Sequence, residues 1–196
     1  MPSNDNSIMI DIECLGTGKD CVVVSVGAVK FNLNTGDILK EEYWELNMRE
    51  QQNKLNRAVS VDTVSWWANQ TPETLKALQS THDRVSITRF IEDFNEFIAG
   101  PNFFWAKGTN YDLEILTDLY QDAHDHLDNE IQVRPFKYSK WVDARVYYLL
   151  GKELGIMPRH AHEGAHNALQ DAIFQTKTVC QIHRTLKDGL KKGKAK

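Results

Sequence analysis

Asp11 and Glu13 stand two residues apart in a run, Ile8-Met-Ile-Asp-Ile-Glu13, whose apolar neighbours mark a central strand. Side chains alternate along a strand, so the two carboxylates share one face near one end of it. Acids so placed repel one another unless a cation sits between them, and a lone carboxylate in a central strand is costly. Taken alone, the pair also fits a strand end that faces solvent. Asp112 fills the first slot of the stripe Asp112, Ile115, Leu116, Leu119, Tyr120, whose spacing makes it the core-facing side of a helix. An acid favoured by the dipole in a first helical turn is the alternative reading there. Asp171 repeats the pattern at the start of the last helix, on one side with Phe174, Thr178 and Ile182. His166, five residues earlier, would lie about 140° away on a continuous helix. It can aim where Asp171 aims only if it precedes the helix, in the Gly164–Ala165 loop; otherwise it is a partly exposed loop histidine.

Taken together these residues point to one chemistry. Four carboxylates from a first strand, a middle helix and a last helix match the needs of a pair of hard divalent cations. Oxygen ligands favour Mg²⁺ or Mn²⁺ over zinc. Two such ions ~3.5–4 Å apart clamp the attacking and leaving oxygens of a phosphodiester. A histidine is the side chain suited to take a proton from the attacking water near neutral pH.

The elements that must position this set follow from pattern. Ile8–Ile12, Val22–Phe31 and Ile38–Leu46 read as three consecutive strands, the last two joined by the hairpin loop Asn32-Leu-Asn-Thr-Gly-Asp37. A polar stretch, Arg49 to Arg57, comes next. Thr71-Pro72-Glu73 reads as a helix start, and Ile87, Phe90, Ile91, Phe94, Phe97 and Ile98 define a longer helix ended by Gly100-Pro101. Phe103–Ala106 is a short buried strand, and Asn110 is expected to cap a helix from Tyr111 to Ala123. Ser139–Val142 makes a last strand before a helix over Ala144–Leu150, a loop over Gly151–Ala165 and a helix over Asn167–Leu186. The order βββ-α-β-α-β-α predicts an α/β domain, a mixed sheet with helices on both sides.

Composition sets the bounds. With 196 residues, 41% hydrophobic and 26% charged, the chain is an ordinary globular domain rather than a disordered one. Its apolar runs are a few residues long, so no membrane is expected as a partner. A polar start and three cysteines without a C-x-x-C pair suggest a cytoplasmic setting with no disulfide framework. The net charge of −4 argues against a whole-surface nucleic-acid binder but leaves room for an enzyme that meets phosphate at a metal site.

Asp11-Ile-Glu13, Asn110-Tyr-Asp112 and His166-Asn-Ala-Leu-Gln-Asp171 resemble the three motifs of the DnaQ-like 3′→5′ exonucleases, in the branch called DEDDh. The likeness spans roughly residues 8 to 185. Within that family Thr63-Val-Ser-Trp66-Trp67-Ala-Asn-Gln70 looks like a segment of phage DexA-type enzymes, and the RNase AS group is a more distant likeness. The resemblance implies an RNase H-like fold with a five-stranded mixed sheet flanked by helices. It also implies two metals. Asp11, Glu13 and Asp171 would hold the tighter ion, Asp11 and Asp112 would share the second with the scissile phosphate, and His166 would deprotonate the water. The substrate would be the 3′ end of single-stranded DNA or RNA, DNA slightly favoured, cut to nucleoside 5′-monophosphates. An RNase AS-type exoribonuclease, a short-oligonucleotide phosphodiesterase and a binding module without catalysis are the competing readings.

Other features carry less. Trp66 and Trp67 would face about 100° apart on a helix, so at most one is core-directed and the other is a candidate platform for a terminal base. Asp143 is read either as a further acid of the site or as a helix cap. His160, His162 and His166 form a zinc-like spacing without cysteine partners. Residues 1–187 are taken as one exonuclease domain and 188–196 as a flexible Lys-rich tail, and a homodimer is kept open as the state of assembly.

Overall fold

In the computed structural model, which describes residues 6–72, 75, 78, 84–100, 103–159 and 166–194, the first three strands form as the β-branched runs dictate. They are β1 (Asn6–Cys14), β2 (Val23–Asn32) and β3 (Ile38–Glu45). Asn32 sets the β2–β3 turn: its side-chain oxygen accepts the backbone N–H groups of Asn34 and Thr35 at 2.9 and 3.0 Å, and Gly36 takes a φ of 82°. With β4 (Phe103–Ala106) and β5 (Trp141–Asp143) they build a five-stranded sheet in the order β3-β2-β1-β4-β5. β1 is antiparallel to β2 and parallel to β4, and β4 is parallel to β5. The sheet is mixed and the fold α/β.

Six helices are present among the described residues: α1 (Met48–Leu55), α2 (Val61–Ala68), α3 (Ile87–Ile98), α4 (Asp112–His126), α5 (Arg145–Glu153) and α6 (Ala168–Lys194). Alternation along β1 divides the core in two. Ile8, Ile10 and Ile12 pack with Phe90, Phe94 and Phe97 of α3 and with Leu113, Leu116 and Leu119 of α4. Met9 points the other way, among Trp105, Ala172, Val179 and Cys180 beneath α5 and α6. Asp11 and Glu13 follow Met9 in phase, so they emerge on the α6 face. Each fully buried Ile, Leu or Phe contributes roughly 1.5–3 kcal/mol, which is what holds α4 and α6 on opposite sides of β1. Trp44 anchors β3 to α3, edge-on to Phe90, Phe94 and Phe97 at 5.6–5.7 Å.

Several expectations are corrected. The polar stretch from Arg49 is helix α1, because its two inward residues do what an apolar stripe usually does. Leu55 is buried, and buried Gln51 exchanges hydrogen bonds with the backbone of Val23, accepting at 2.8 Å and donating at 2.7 Å. Gly151, expected in a loop, lies inside α5, where its missing side chain admits Ile182 of α6 and Met157. Asn110 does not cap α4; Tyr111 holds that position with no side-chain bond, and the Asn110 amide oxygen accepts from Arg145 instead. α6 runs on past Leu186, so the Lys-rich segment from 188 continues the helix to Lys194. Leucine and lysine are good helix formers, and lysines near a helix C-terminus complement its dipole. Most of the helix expected from Thr71-Pro72-Glu73, together with Pro101, His160 and His162, falls outside the described residues.

Candidate active site

Asp11, Glu13 and Asp171 each offer a carboxylate oxygen, and these atoms all lie within 4.8 Å of one another. β1 supplies the first two. The third depends on a close approach of α6 to the sheet. Gly27 pairs with Asp11 across β1 and β2, and a Cβ there would stand 2.3 Å from the Ala168 carbonyl carbon and the Leu169 nitrogen. Only glycine lets the first turn of α6 rest on the strand beside Asp11. Asn167 starts that turn, its side chain accepting the Gln170 N–H at 3.1 Å.

Asp112 comes from the other side of β1. It is buried, and its Oδ1 accepts the N–H of Ile12 at 3.2 Å, which fixes it beside the strand between Asp11 and Glu13. It stands outside the tight trio but close enough for its charge to reach both β1 acids. Gln175, one turn beyond Asp171 on α6, donates from Nε2 to Asp11 Oδ1 at 2.7 Å. Its Oε1 is buried with no hydrogen-bond partner among the described residues.

The electrostatics follow from crowding. Burial, then the charges of Asp112, Glu13 and Asp171, raises Asp11 well above the usual carboxylate range, and the bond from Gln175 offsets part of that. Burial, with help from Asp171 and Asp112, pushes Glu13 up to about 8. Asp112 is pushed up to about 7, chiefly by burial, against the opposing bond from Ile12. Without a cation Asp11, Glu13 and Asp112 hold on to protons. An all-oxygen donor set of this kind fits hard divalent ions, and such ions would replace those protons.

His166 lies before α6, as its angular offset from Asp171 requires. Its φ of 64° is unusual for a residue with a side chain. The strained turn is held by Asp171, whose Oδ2 accepts the His166 N–H at 2.9 Å. The imidazole stands edge-on to Trp66, ring centres 4.9 Å apart. The two tryptophans separate cleanly. Trp67 is 1% exposed, with its indole N–H donated to the Cys14 carbonyl at 3.0 Å, whereas Trp66 is 44% exposed. Trp66, Glu13, Gly16, Asp62, Thr63 and Tyr111 line a pocket of about 380 Å³ beside the acids. Tyr111 braces it by donating its hydroxyl to the Gly16 carbonyl at 2.9 Å. Behind, buried Arg57 ties the loop after β1 to α4, donating to the carbonyls of Lys19 and Cys21 at 2.8 Å and pairing with Asp122 at 2.5 Å. A larger hollow, about 470 Å³, opens by Ala99, Gly100 and Lys140 at the opposite end of β4, away from this chemistry.

Sequence reasoning passed over Gln175 and Gly27. Both carried a signal: Gln175 lies at i+4 from Asp171, and a single glycine inside a β-branched strand marks close approach of another backbone.

The acids thus gather at the end of the central strand of a mixed five-stranded sheet. The nuclease domain of 3′hExo, a DEDDh family member solved bound to rAMP, superposes with a TM-score of 0.59 at 16% identity, over 96% of this chain and 94% of that one. The zinc-bound complex of E. coli exonuclease I with single-stranded DNA gives 0.65 at 10% identity over 93% of this chain. This chain spans 41% of that longer protein. The exodeoxyribonuclease of Enterobacteria phage T4 is 25% identical over 195 residues, covering 85% of this chain and 86% of the relative. The model of the Rv2179c-like 3′-5′ exoribonuclease domain matches residues 6–183. The chain belongs to that family and is a hydrolytic 3′-5′ exonuclease.

Proposed function

We propose that this chain removes nucleotides one at a time from single-stranded 3′ ends, through two divalent ions, Mg²⁺ or Mn²⁺, with His166 as general base. The observation that carries the reading is the convergence of Asp11, Glu13 and Asp171 within 4.8 Å, with Asp112 tied to the backbone between the first two. Asp11, Glu13 and Asp171 would hold one ion, and Asp11 with Asp112 the other. When bound, such a pair supplies Lewis-acid stabilisation of the attacking and leaving oxygens of the phosphodiester.

The protein's own groups do the rest. Trp66 offers a face for the terminal base, a contact worth ~1–3 kcal/mol. Trp67, buried, backs the pocket rather than touching the base. His166, oriented by Trp66 and by its backbone bond to Asp171, takes a proton from the incoming water. That oxygen joins the phosphorus as the bond to the 3′ oxygen of the preceding nucleotide breaks. A nucleoside 5′-monophosphate leaves, and the strand ends in a new 3′ hydroxyl. A single-strand preference follows because the pocket admits one unpaired base and the −4 net charge provides no broad track for a duplex.

DNA is the favoured substrate, supported by the phage exodeoxyribonuclease that aligns along most of the chain. RNA is the second reading, supported by the exoribonuclease description of the family domain. Paired 5′-labelled DNA and RNA strands of one sequence, digested with Mn²⁺ or Mg²⁺, decide between them. Faster shortening of the DNA is expected; faster loss of the RNA reverses the preference, and digestion in EDTA overturns the metal chemistry.

A further inference from the structure

Arg145 takes no part in the chemistry above, yet it is built into the same end of the parallel strands. It opens α5 directly after β5, and β5 runs parallel to β4 and β1 with Ala106 opposite Asp143. Its guanidinium is pinned from one side. Nε donates to both Asp143 oxygens at 3.0 Å, and Nη2 donates to Asp143 Oδ2 at 2.5 Å and to Asn110 Oδ1 at 3.1 Å. Asp143 also accepts the backbone N–H of Arg145 at 2.9 Å. Both earlier readings of Asp143 are thereby narrowed: it braces a helix start and orients an arginine.

Pinned on one side, the group is open on the other. The Arg145 side chain is 57% exposed. Its Nη1 lies beside Gly108, whose φ of 125° suits glycine and where an added Cβ would stand 3.8 Å from the guanidinium. The turn that carries Gly108 and Asn110 on this side carries Tyr111 and Asp112 on the side of the terminal-base pocket. The bond from Arg145 to Asn110, two residues before Asp112, places the guanidinium next to the site. An exposed ion pair alone is worth little. A guanidinium held flat, with N–H groups that take no partner among the described residues, matches the geometry of a phosphate. Lys107, exposed at the end of β4 with its Nζ 5.3 Å from the Tyr148 ring, adds positive charge along the same line.

We infer that Arg145 binds a non-bridging oxygen of the backbone phosphate on the 5′ side of the scissile one, so that the strand leaves the site across the ends of β4 and β5 while its terminal base lies against Trp66. The inference rests on the exonuclease reading and gives it a path and a polarity. The test is steady-state hydrolysis of a dinucleotide and of a longer oligonucleotide across a salt series, with melting curves to verify folding. Arg145→Ala is expected to raise KM for the longer strand roughly 10–100-fold, with kcat changed far less. The dinucleotide, used with a free 5′ hydroxyl so that it lacks that phosphate, should suffer a smaller loss. The slope of log kcat/KM against log salt should become shallower by about 0.7, the contribution of one phosphate contact on a single strand. Arg145→Lys should restore the salt slope and part of the affinity. An equal loss at both lengths with an unchanged slope would mean that Arg145 serves only to position Asp143 and Asp112, and would overturn the inference alone. A wild-type protein that shortens no strand of either length would overturn the exonuclease reading with it.

Discussion

Asp11 sits where one amide donor opposes three acids, and that balance gives the residue-level expectations. Asp11→Ala or Asp171→Ala should abolish nearly all nuclease activity. Each also relieves repulsion within a buried cluster, so in EDTA these variants should melt above the wild type. Differential scanning fluorimetry reads this directly, and a lower melting temperature would mean the acids are satisfied without metal. His166→Ala should slow turnover roughly 10²–10⁴-fold while leaving Mn²⁺ binding nearly intact, as calorimetry would verify. Gln175→Leu keeps the volume but removes the N–H on Asp11, and should weaken Mn²⁺ binding about 10–100-fold, as other outer-shell losses do. The convergence of Asp11, Glu13 and Asp171 was legible because charged groups in apolar stretches advertise a cost, whereas His166 was read only from its spacing to Asp171. Gln175 was not, because a glutamine on a helix face carries no such mark until its neighbour is known.

Among elements, the contact of α6 with β2 decides whether the site assembles. Gly27→Ala forces a methyl into the Ala168 backbone, and overpacking of this kind costs typically 1–3 kcal/mol. The strain falls on the turn that carries Asp171, so Mn²⁺ affinity should drop along with stability; a fall in stability alone would detach Gly27 from the site. Trp67→Ala should cost about 3–5 kcal/mol, whereas Trp66→Ala should leave stability nearly unchanged and raise KM. The strands and the long helices were readable because apolar, β-branched runs mark β1 and β2 and 3–4 spacing marks α3 and α4. α1 was not, since it buries one leucine and one glutamine, and a glutamine that bonds a strand backbone looks like surface in the sequence. The end of α6 was missed for a related reason: Gly189 and the lysines that follow suggest fraying, but leucine and lysine between them propagate a helix already nucleated on the sheet.

At the scale of the whole molecule, three carboxylates with raised pKa make the metal-free fold a proton binder. Burial pushes folded Glu13 up to about 8 and Asp112 up to about 7, above their unfolded values, so their contribution to stability is fully present below the ordinary carboxylate range. It is lost as pH rises through 7 to 8. In EDTA the melting temperature should therefore fall between pH 5 and pH 8.5, by roughly 2–4 °C for each kcal/mol lost. Saturating Mn²⁺ should flatten or reverse that trend, because the ions need the carboxylates deprotonated. Parallel pH profiles with and without metal would place the charge elsewhere.

The order in which mononucleotides leave a linear strand of mixed sequence is the decisive observation. With Mn²⁺ present, nucleoside 5′-monophosphates should appear in sequence order from the 3′ end, a 3′ phosphate should block release, and a circular strand should survive. Release beginning at the 5′ end, or cuts within the circle, would contradict a site that takes one 3′-terminal nucleotide at a time.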